Sequence, residues 1–234
     1  MWSELRYEWV RIPTWWILSE QTNLLPSFSF QDKGRSIAAL MIYIAMAVRA
    51  QQQSTEEFVG GTARLTYDDL GNSTGISRAL ISTGIKKLVE LGLITALNYR
   101  KQNVYVLVNH MEAPWAKLPK KHLYQGETTG EIGVFTKYFN LRSRVELNAL
   151  KLYLLLLAFR DNRSNVAFIT HPKIYEYSQI PRNSIRQAIS FLVAHDLIGM
   201  DKVLTEDGKA RVNRYEIRGL SHLHAGNRSD ELVG

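Results

Sequence analysis

The apolar positions of this chain fall into the same pattern twice. The segment LTYDDLGNSTGISRALISTGIKKLVELGLI, Leu65 to Ile94, lies without a gap over ITHPKIYEYSQIPRNSIRQAISFLVAHDLI, Ile169 to Ile198. The offset is constant, 198 − 94 = 104. Leu70 meets Ile174, Ile76 meets Ile180, Ile81 meets Ile185, Ile85 meets Ile189 and Leu88 meets Leu192. Arg78 meets Arg182, and Leu93-Ile94 meets Leu197-Ile198. A constant offset that preserves apolar positions means two copies of one supersecondary unit.

In the first copy, Ser36 to Gln51 is apolar nearly all round and rich in Ala and Met. That composition predicts a helix buried on most sides. Gly60-Gly61 marks a turn, and a short strand is expected at Ala63 to Leu65. Thr66 is a good N-cap, with Asp69 three residues on, where it can reach back to the cap. A second helix is therefore expected from Tyr67 to about Asn72. Gly75 suits a left-handed corner, with Ile76 as its apolar plug. Ser77 caps a third helix running to about Glu90, with Ile81, Ile85 and Leu88 as its buried stripe. Arg78, Ser82, Thr83 and Lys86 fall on the other side. Leu93 to Leu97 reads as a strand, Asn98 to Asn103 (NYRKQN) as a polar basic loop, and Val104 to Val108 as the returning strand.

The second copy repeats this order. VELNALKLYLLLLAFR, Val145 to Arg160, echoes the first helix, "ALKLYL" answering "ALMIYI". Ala167 to Ile169 is the short strand. Thr170 caps the next helix, with Pro172 in its first turn. Pro181 opens the third helix, whose stripe is Ile185, Ile189 and Leu192. Ile198 to Leu204 and Arg211 to Ile217 are the strands, with Asp207-Gly208 as hairpin turn. Two departures stand out. Gly75 becomes Gln179, which predicts a different corner. Lys86-Lys87 becomes Ser190-Phe191, which places an aromatic where the first copy has charge.

The segment Leu65 to Ile94, with "TGISR" at the turn and "LGLI" after the third helix, resembles the winged helix-turn-helix families of bacterial regulators and plasmid replication initiators. The resemblance implies a mainly α fold with small β wings (α+β), in two tandem winged helix-turn-helix domains. An N-terminal strap plus the first winged helix would occupy residues 1–110, with its core at 36–110. A linker follows at 111–140, a second winged helix at 141–220 and a disordered tail at 221–234. In the initiator family such proteins bind repeated origin sequences, recruit host replication factors and often repress their own promoter. The TGISR turn is equally at home in transcription regulators. Double-stranded DNA is thus the expected partner, with host replication or transcription proteins as further partners.

Outside the copies, WVRIP (Trp9 to Pro13) resembles WAKLP (Trp115 to Pro119) at an offset of 115 − 9 = 106. Each is expected to lie as a strap across the domain that follows it. Trp2, Trp9, Trp15 and Trp16 crowd the start and are expected to pack on the first domain, with a dimer or partner interface as the other reading. Met111 to Asn140 carries two Pro and three Gly and is expected to be irregular.

Net charge is +7 and the pI about 9.5, which favours a polyanionic partner. Residues 1–118 carry 12 Lys+Arg against 10 Asp+Glu, a net of +2, and the remainder 17 against 12, a net of +5. Neither half has the dense basic block of a non-specific binder. Base reading therefore falls to particular side chains. Arginine's fork suits guanine, and Asn or Gln suits adenine, in the major groove. The first recognition helix offers Ser77, Arg78, Ser82, Thr83 and Lys86. The second offers Arg182, Asn183, Arg186, Gln187 and Ser190. Wing residues Tyr99, Arg100 and Lys101, and Lys209 and Arg211, are placed to meet phosphates. Two unlike readers in tandem are expected to want a direct, asymmetric site.

Cysteine is absent, which excludes disulfides and thiolate metal sites. No P-loop, Rossmann fingerprint, His-Glu-x-x-His or nucleophile elbow is present. Asp68-Asp69 is explained by capping. His222 and His224 have no further Cys or His nearby, and Tyr175 and Tyr177 lack the histidine cluster of a nicking enzyme. The expectation is a non-enzyme with no cofactor, monomer or homodimer, cytoplasmic and nucleoid-associated. No signal peptide or membrane-length apolar run is seen. A winged-helix module that docks protein or RNA is the reading from another class.

Overall fold

The computed structural model describes residues 8–19, 23–124, 130–204 and 211–220. Strand β1 (Val10–Pro13) and the short α1 (Trp15–Leu18) lead into the first repeat: α2 (Lys33–Arg49), β2 (Thr62–Arg64), α3 (Tyr67–Thr74), α4 (Arg78–Glu90), β3 (Ile94–Tyr99) and β4 (Gln102–Leu107). Between the repeats lie β5 (Trp115–Leu118), α5 (Lys120–Leu123) and α6 (Gly133–Tyr138). The second repeat is α7 (Arg144–Phe159), β6 (Val166–Phe168), α8 (His171–Ser178), α9 (Arg182–Ala194), β7 (Ile198–Leu204) and β8 (Arg211–Ile217). The fold is α+β, 48% helix and 20% strand, with all strands in small sheets. The sheets of the two repeats have the same order, β2-β4-β3 and β6-β8-β7, all antiparallel.

Local chemistry explains the element ends. Thr66 and Asp69 form a reciprocal capping box at α3, each satisfying the other's backbone N–H. Ser77 caps α4 through Leu80 N, and Thr170 caps α8 through Lys173 N. The apolar helix α2 is buried from Ser36 to Val48, as its composition demands. Gly84 lets α4 approach it, because a Cβ there would lie 2.7 Å from Ile42 Cδ1. One apolar core runs through both repeats, and α2 packs directly on α7.

Several expectations need correction. The corner does not change between repeats: Gly75 sits at φ 73° and Gln179 at φ 54°, both left-handed. The tertiary frame therefore imposes on Gln179 a conformation that glycine adopts freely. The basic stretch Asn98 to Asn103 is not an open loop. β3 and β4 run on to Tyr99 and Gln102, and only Arg100 and Lys101, both at positive φ, turn the chain. Ladder hydrogen bonds hold the polar residues in strands despite their loop-like composition. Helix α3 continues two residues past Asn72, to Thr74. Among its described residues the interval 111–140 contains β5, α5 and α6 and is not merely irregular chain. The turn at Asp207-Gly208 and the tail at 221–234 lie outside the described residues.

The straps do not each cover a following domain. They pair with each other, antiparallel, so that both satisfy their backbone groups. Arg11 faces Lys117, its own counterpart at the strap offset, while Val10 faces Leu118 and Ile12 faces Ala116. Such exchanged contacts between equivalent residues mark a local two-fold axis. The side chains obey it too. Arg11 lies 4.7 Å from the Trp115 ring centroid, and Lys117 lies 5.1 Å from that of Trp9. Trp9 and Trp115 stack at 6.0 Å with planes 9° apart.

Farther from the axis, each repeat's leading arm reaches the other repeat. The Ser73 carbonyl at the end of α3 accepts from Ile132 N at 3.0 Å. The carbonyl of its counterpart Tyr177 accepts from Asn23 Nδ2 at 2.7 Å. Of the other tryptophans, Trp16 is buried and donates to Pro13 O and Tyr43 Oη, and Trp15 donates to Val108 O. Both therefore pack on the first repeat, while Trp2 lies outside the described residues.

Candidate nucleic-acid interface

The exposed faces of α4 and α9 coincide residue for residue. On α4 the exposed positions are Arg78, Ala79, Ser82, Thr83, Lys86, Val89 and Glu90. On α9 they are Arg182, Asn183, Arg186, Gln187, Ser190, Val193 and Ala194, each 104 residues on. Ile81, Ile85 and Leu88 in one, and Ile185, Ile189 and Leu192 in the other, anchor the opposite face in the core. All the helix residues singled out from the sequence thus lie on solvent-facing surfaces. Ser77 is exposed as well, at the cap of α4.

The start of α4 meets the hairpin of its own repeat. Thr66, Tyr67, Asp68, Arg78 and Asn103 line one open groove of about 440 Å3. The Arg78 guanidinium donates to Asp68 Oδ1 at 2.6 Å. Both side chains are about 70% exposed, so the pair adds under about 1 kcal/mol of stability. Its effect is to orient the fork while leaving it accessible. At the hairpin tip Tyr99 packs edge-on against Phe58 at 5.4 Å, and Arg100 lies over the Tyr99 ring at 5.1 Å and near Glu57 at 3.8 Å. Lys101 is exposed beside it.

The second face is more basic. Arg182 lies over the Tyr175 ring at 5.8 Å. Arg186 and Lys202 both act on His171, whose pKa is held below the usual imidazole value by burial first and by those two charges second. The His171 Nε2 is buried with no hydrogen-bond partner. Pro181 offers α9 no side-chain cap, unlike Ser77 on α4. Arg211 begins β8, and Lys209 lies outside the described residues. Phe191 is half-buried, edge-on to Phe139 of the segment between the repeats at 5.2 Å and to His195 of its own repeat at 4.4 Å.

Asn103, His171 and Lys202 join these clusters without having been singled out from the sequence, and Asp68, which the sequence explained by capping, pairs with Arg78. The caps are Thr66 with Asp69 and Thr170, beside which Asp68 stands second in α3 and His171 first in α8. Only folding brings them to Arg78 and Arg186. Among the described residues no group of His, Cys, Asp or Glu is placed to hold a metal, and no helix is long and apolar enough to cross a membrane. His222 and His224 lie outside the described residues. Comparison of the sequence with protein-family models and with curated proteins finds no match.

Proposed function

We propose that each repeat is a winged helix-turn-helix unit and that the chain reads double-stranded DNA with α4 and α9. The observation that carries this reading is the coincidence of the two exposed helix faces, both bearing side chains able to read base edges. The hairpins β3-β4 and β7-β8 act as wings, with Tyr99, Arg100 and Lys101 at the tip of the first. The resemblance to plasmid replication initiators favours an origin-binding protein that also controls its own promoter.

The local two-fold axis changes the form of the expected site. Readers related by a two-fold want half-sites in inverted orientation, about one helical turn apart. The direct site expected from unlike readers is therefore replaced by an imperfect inverted repeat. Its halves share the base met by Arg78 and Arg182. They differ where Ser82 answers Arg186 and Thr83 answers Gln187.

Selection of bound duplex fragments at about physiological salt tests the reading, because non-specific phosphate binding is weakened there. The expected product is an inverted pair of unlike half-sites, recurring several times in origin fragments. A single promoter site would favour a transcription regulator. A direct arrangement would overturn the two-fold geometry of reading, and no enrichment would overturn DNA reading itself.

A pH effect follows from His171. A phosphate placed near Arg186 and Lys202 offsets their repulsion and favours the imidazolium. Affinity for the selected duplex is expected to rise roughly threefold as pH falls from about 7.5 to 6. His171→Gln should bind with no such gain. A gain retained by the variant in a fluorescence-anisotropy titration would count against the placement of phosphate there.

A further inference from the structure

The internal repeat serves as its own control for one unusual feature of α7. Arg144, Asn148 and Lys151 stand at i, i+4 and i+7, on one face of the helix. At the offset of the two long helices, 149 − 39 = 110, their counterparts in α2 are Gly34, Ala38 and Met41. The second repeat has three polar side chains where the first has small or apolar ones.

These three side chains line a cavity of about 220 Å3, closed by Phe28 and Ser29 of the first arm and by Gln179 and Pro181. Asn148 is 5% exposed, and its Nδ2 is buried without an acceptor. Lys151 is 4% exposed, and its ammonium donates to Phe28 O at 3.2 Å. That bond uses one of its three protons. Arg144 stands exposed at the rim, over the Phe30 ring at 4.2 Å. No acidic residue lines the cavity among the described residues. The nearby carboxylate on the helix, Glu146, lies on the far side and accepts from Leu141 N at 2.7 Å.

Buried donors without acceptors, and a buried ammonium without a carboxylate, are costly to keep. The helix itself does not require them, because α2 is built with Gly34, Ala38 and Met41 at the corresponding positions. An oxyanion would satisfy all three groups at once through charge-assisted hydrogen bonds.

We propose that this cavity binds a small oxyanion, a carboxylate or phosphate carried by a small molecule. Asn148 Nδ2 and Lys151 Nζ hold it from below, and Arg144 closes over it. The site does not depend on the DNA-reading proposal. Its position gives it a route to that function, a consequence that rests on the DNA reading. Gln179 and Pro181 form the corner from which α9 departs, so an occupant touches the joint that aims the second candidate reader.

The test titrates the full chain with inorganic phosphate and, separately, with succinate, using chloride at matched ionic strength as reference. Calorimetry and amide NMR follow the binding. Saturable one-to-one binding is expected for at least one anion, with shifts confined to residues 26–30, 144–151 and 179–182. Which anion binds more tightly assigns the ligand's chemistry. Lys151→Met and Asn148→Ala should each weaken binding at least tenfold while keeping the wild-type circular dichroism. Arg144→Gln should weaken it less. No saturable response beyond chloride, or a response unchanged in Lys151→Met and Asn148→Ala, would overturn the proposal.

Discussion

Arg182→Ala combined with Arg186→Ala is expected to weaken binding of the selected duplex by at least about thirtyfold. A bidentate arginine–guanine contact discriminates by about 1–3 kcal/mol, and 1.4 kcal/mol is tenfold, so two contacts carry the effect. Both side chains are exposed and project from the face opposite the Ile185, Ile189 and Leu192 stripe. Their removal should therefore leave the melting temperature nearly unchanged. The loss should fall on one half of the site only. Repeated selection with the double variant should return the half-site of α4 intact and random sequence in the other half.

Arg78→Ala gives the reciprocal control, erasing the other half. The measurement that checks these outcomes is a paired anisotropy titration on the selected and a scrambled duplex. Equal losses on both duplexes would assign Arg182 and Arg186 to phosphates. Undiminished binding would remove α9 from the interface.

Stability is expected to rise by about 2–3 kcal/mol as pH increases from 8 to 10, and this rise should vanish in Lys151→Met. Burial lowers the Lys151 pKa from 10.5 to about 8 in the folded chain. Between those values the unfolded chain binds more protons than the folded one, so stability increases with pH. The contribution is complete above the unfolded pKa and is lost as pH falls through the folded one. Two pH units of such a difference amount to about 2.7 kcal/mol, or roughly 5–10 °C in melting temperature.

Above pH 10 the trend reverses. Tyr105 and Tyr215 are pushed up to about 12 by burial, and Tyr43 and Tyr153 are also raised. Their protons are then held more tightly in the folded chain. Urea denaturation across pH 7–11, with and without saturating anion, checks the sequence of effects. An anion beside Lys151 would raise its pKa and flatten the rise. A rise of equal size in Lys151→Met would assign the effect to other groups.

Much of the local structure was legible in the residues. Thr66 with Asp69 announced the start of α3, and Ile81, Ile85 and Leu88 announced the buried side of α4. These features depend on contacts within a turn or two, where side-chain chemistry and helical period act directly. The candidate reading face was legible for the same reason, since burying one stripe exposes the other.

The Asn98 to Asn103 hairpin was not legible. Its polar composition suits a loop, and only the ladder between β3 and β4 extends the strands to Tyr99 and Gln102. The corner at Gln179 was misjudged because propensity favours glycine there, whereas packing around Ile180 and the first arm sets the backbone. The buried Lys151 was hidden inside "ALKLYL", because a lone lysine in an apolar helix is ambiguous until its face is known.

By itself the sequence determined that the chain is made of two like units, which elements each contains and which helix faces meet solvent. Periodicity and capping are local, so they survive without knowledge of the fold. The relation between the units was decided only by tertiary structure. WVRIP and WAKLP are each ordinary strap-like segments, and nothing in either states that Arg11 faces Lys117. Pairing between residues a hundred positions apart depends on which surfaces the arms, α2 and α7 can bury together. That choice created the two-fold axis and formed the polar cavity beside the corner between α8 and α9.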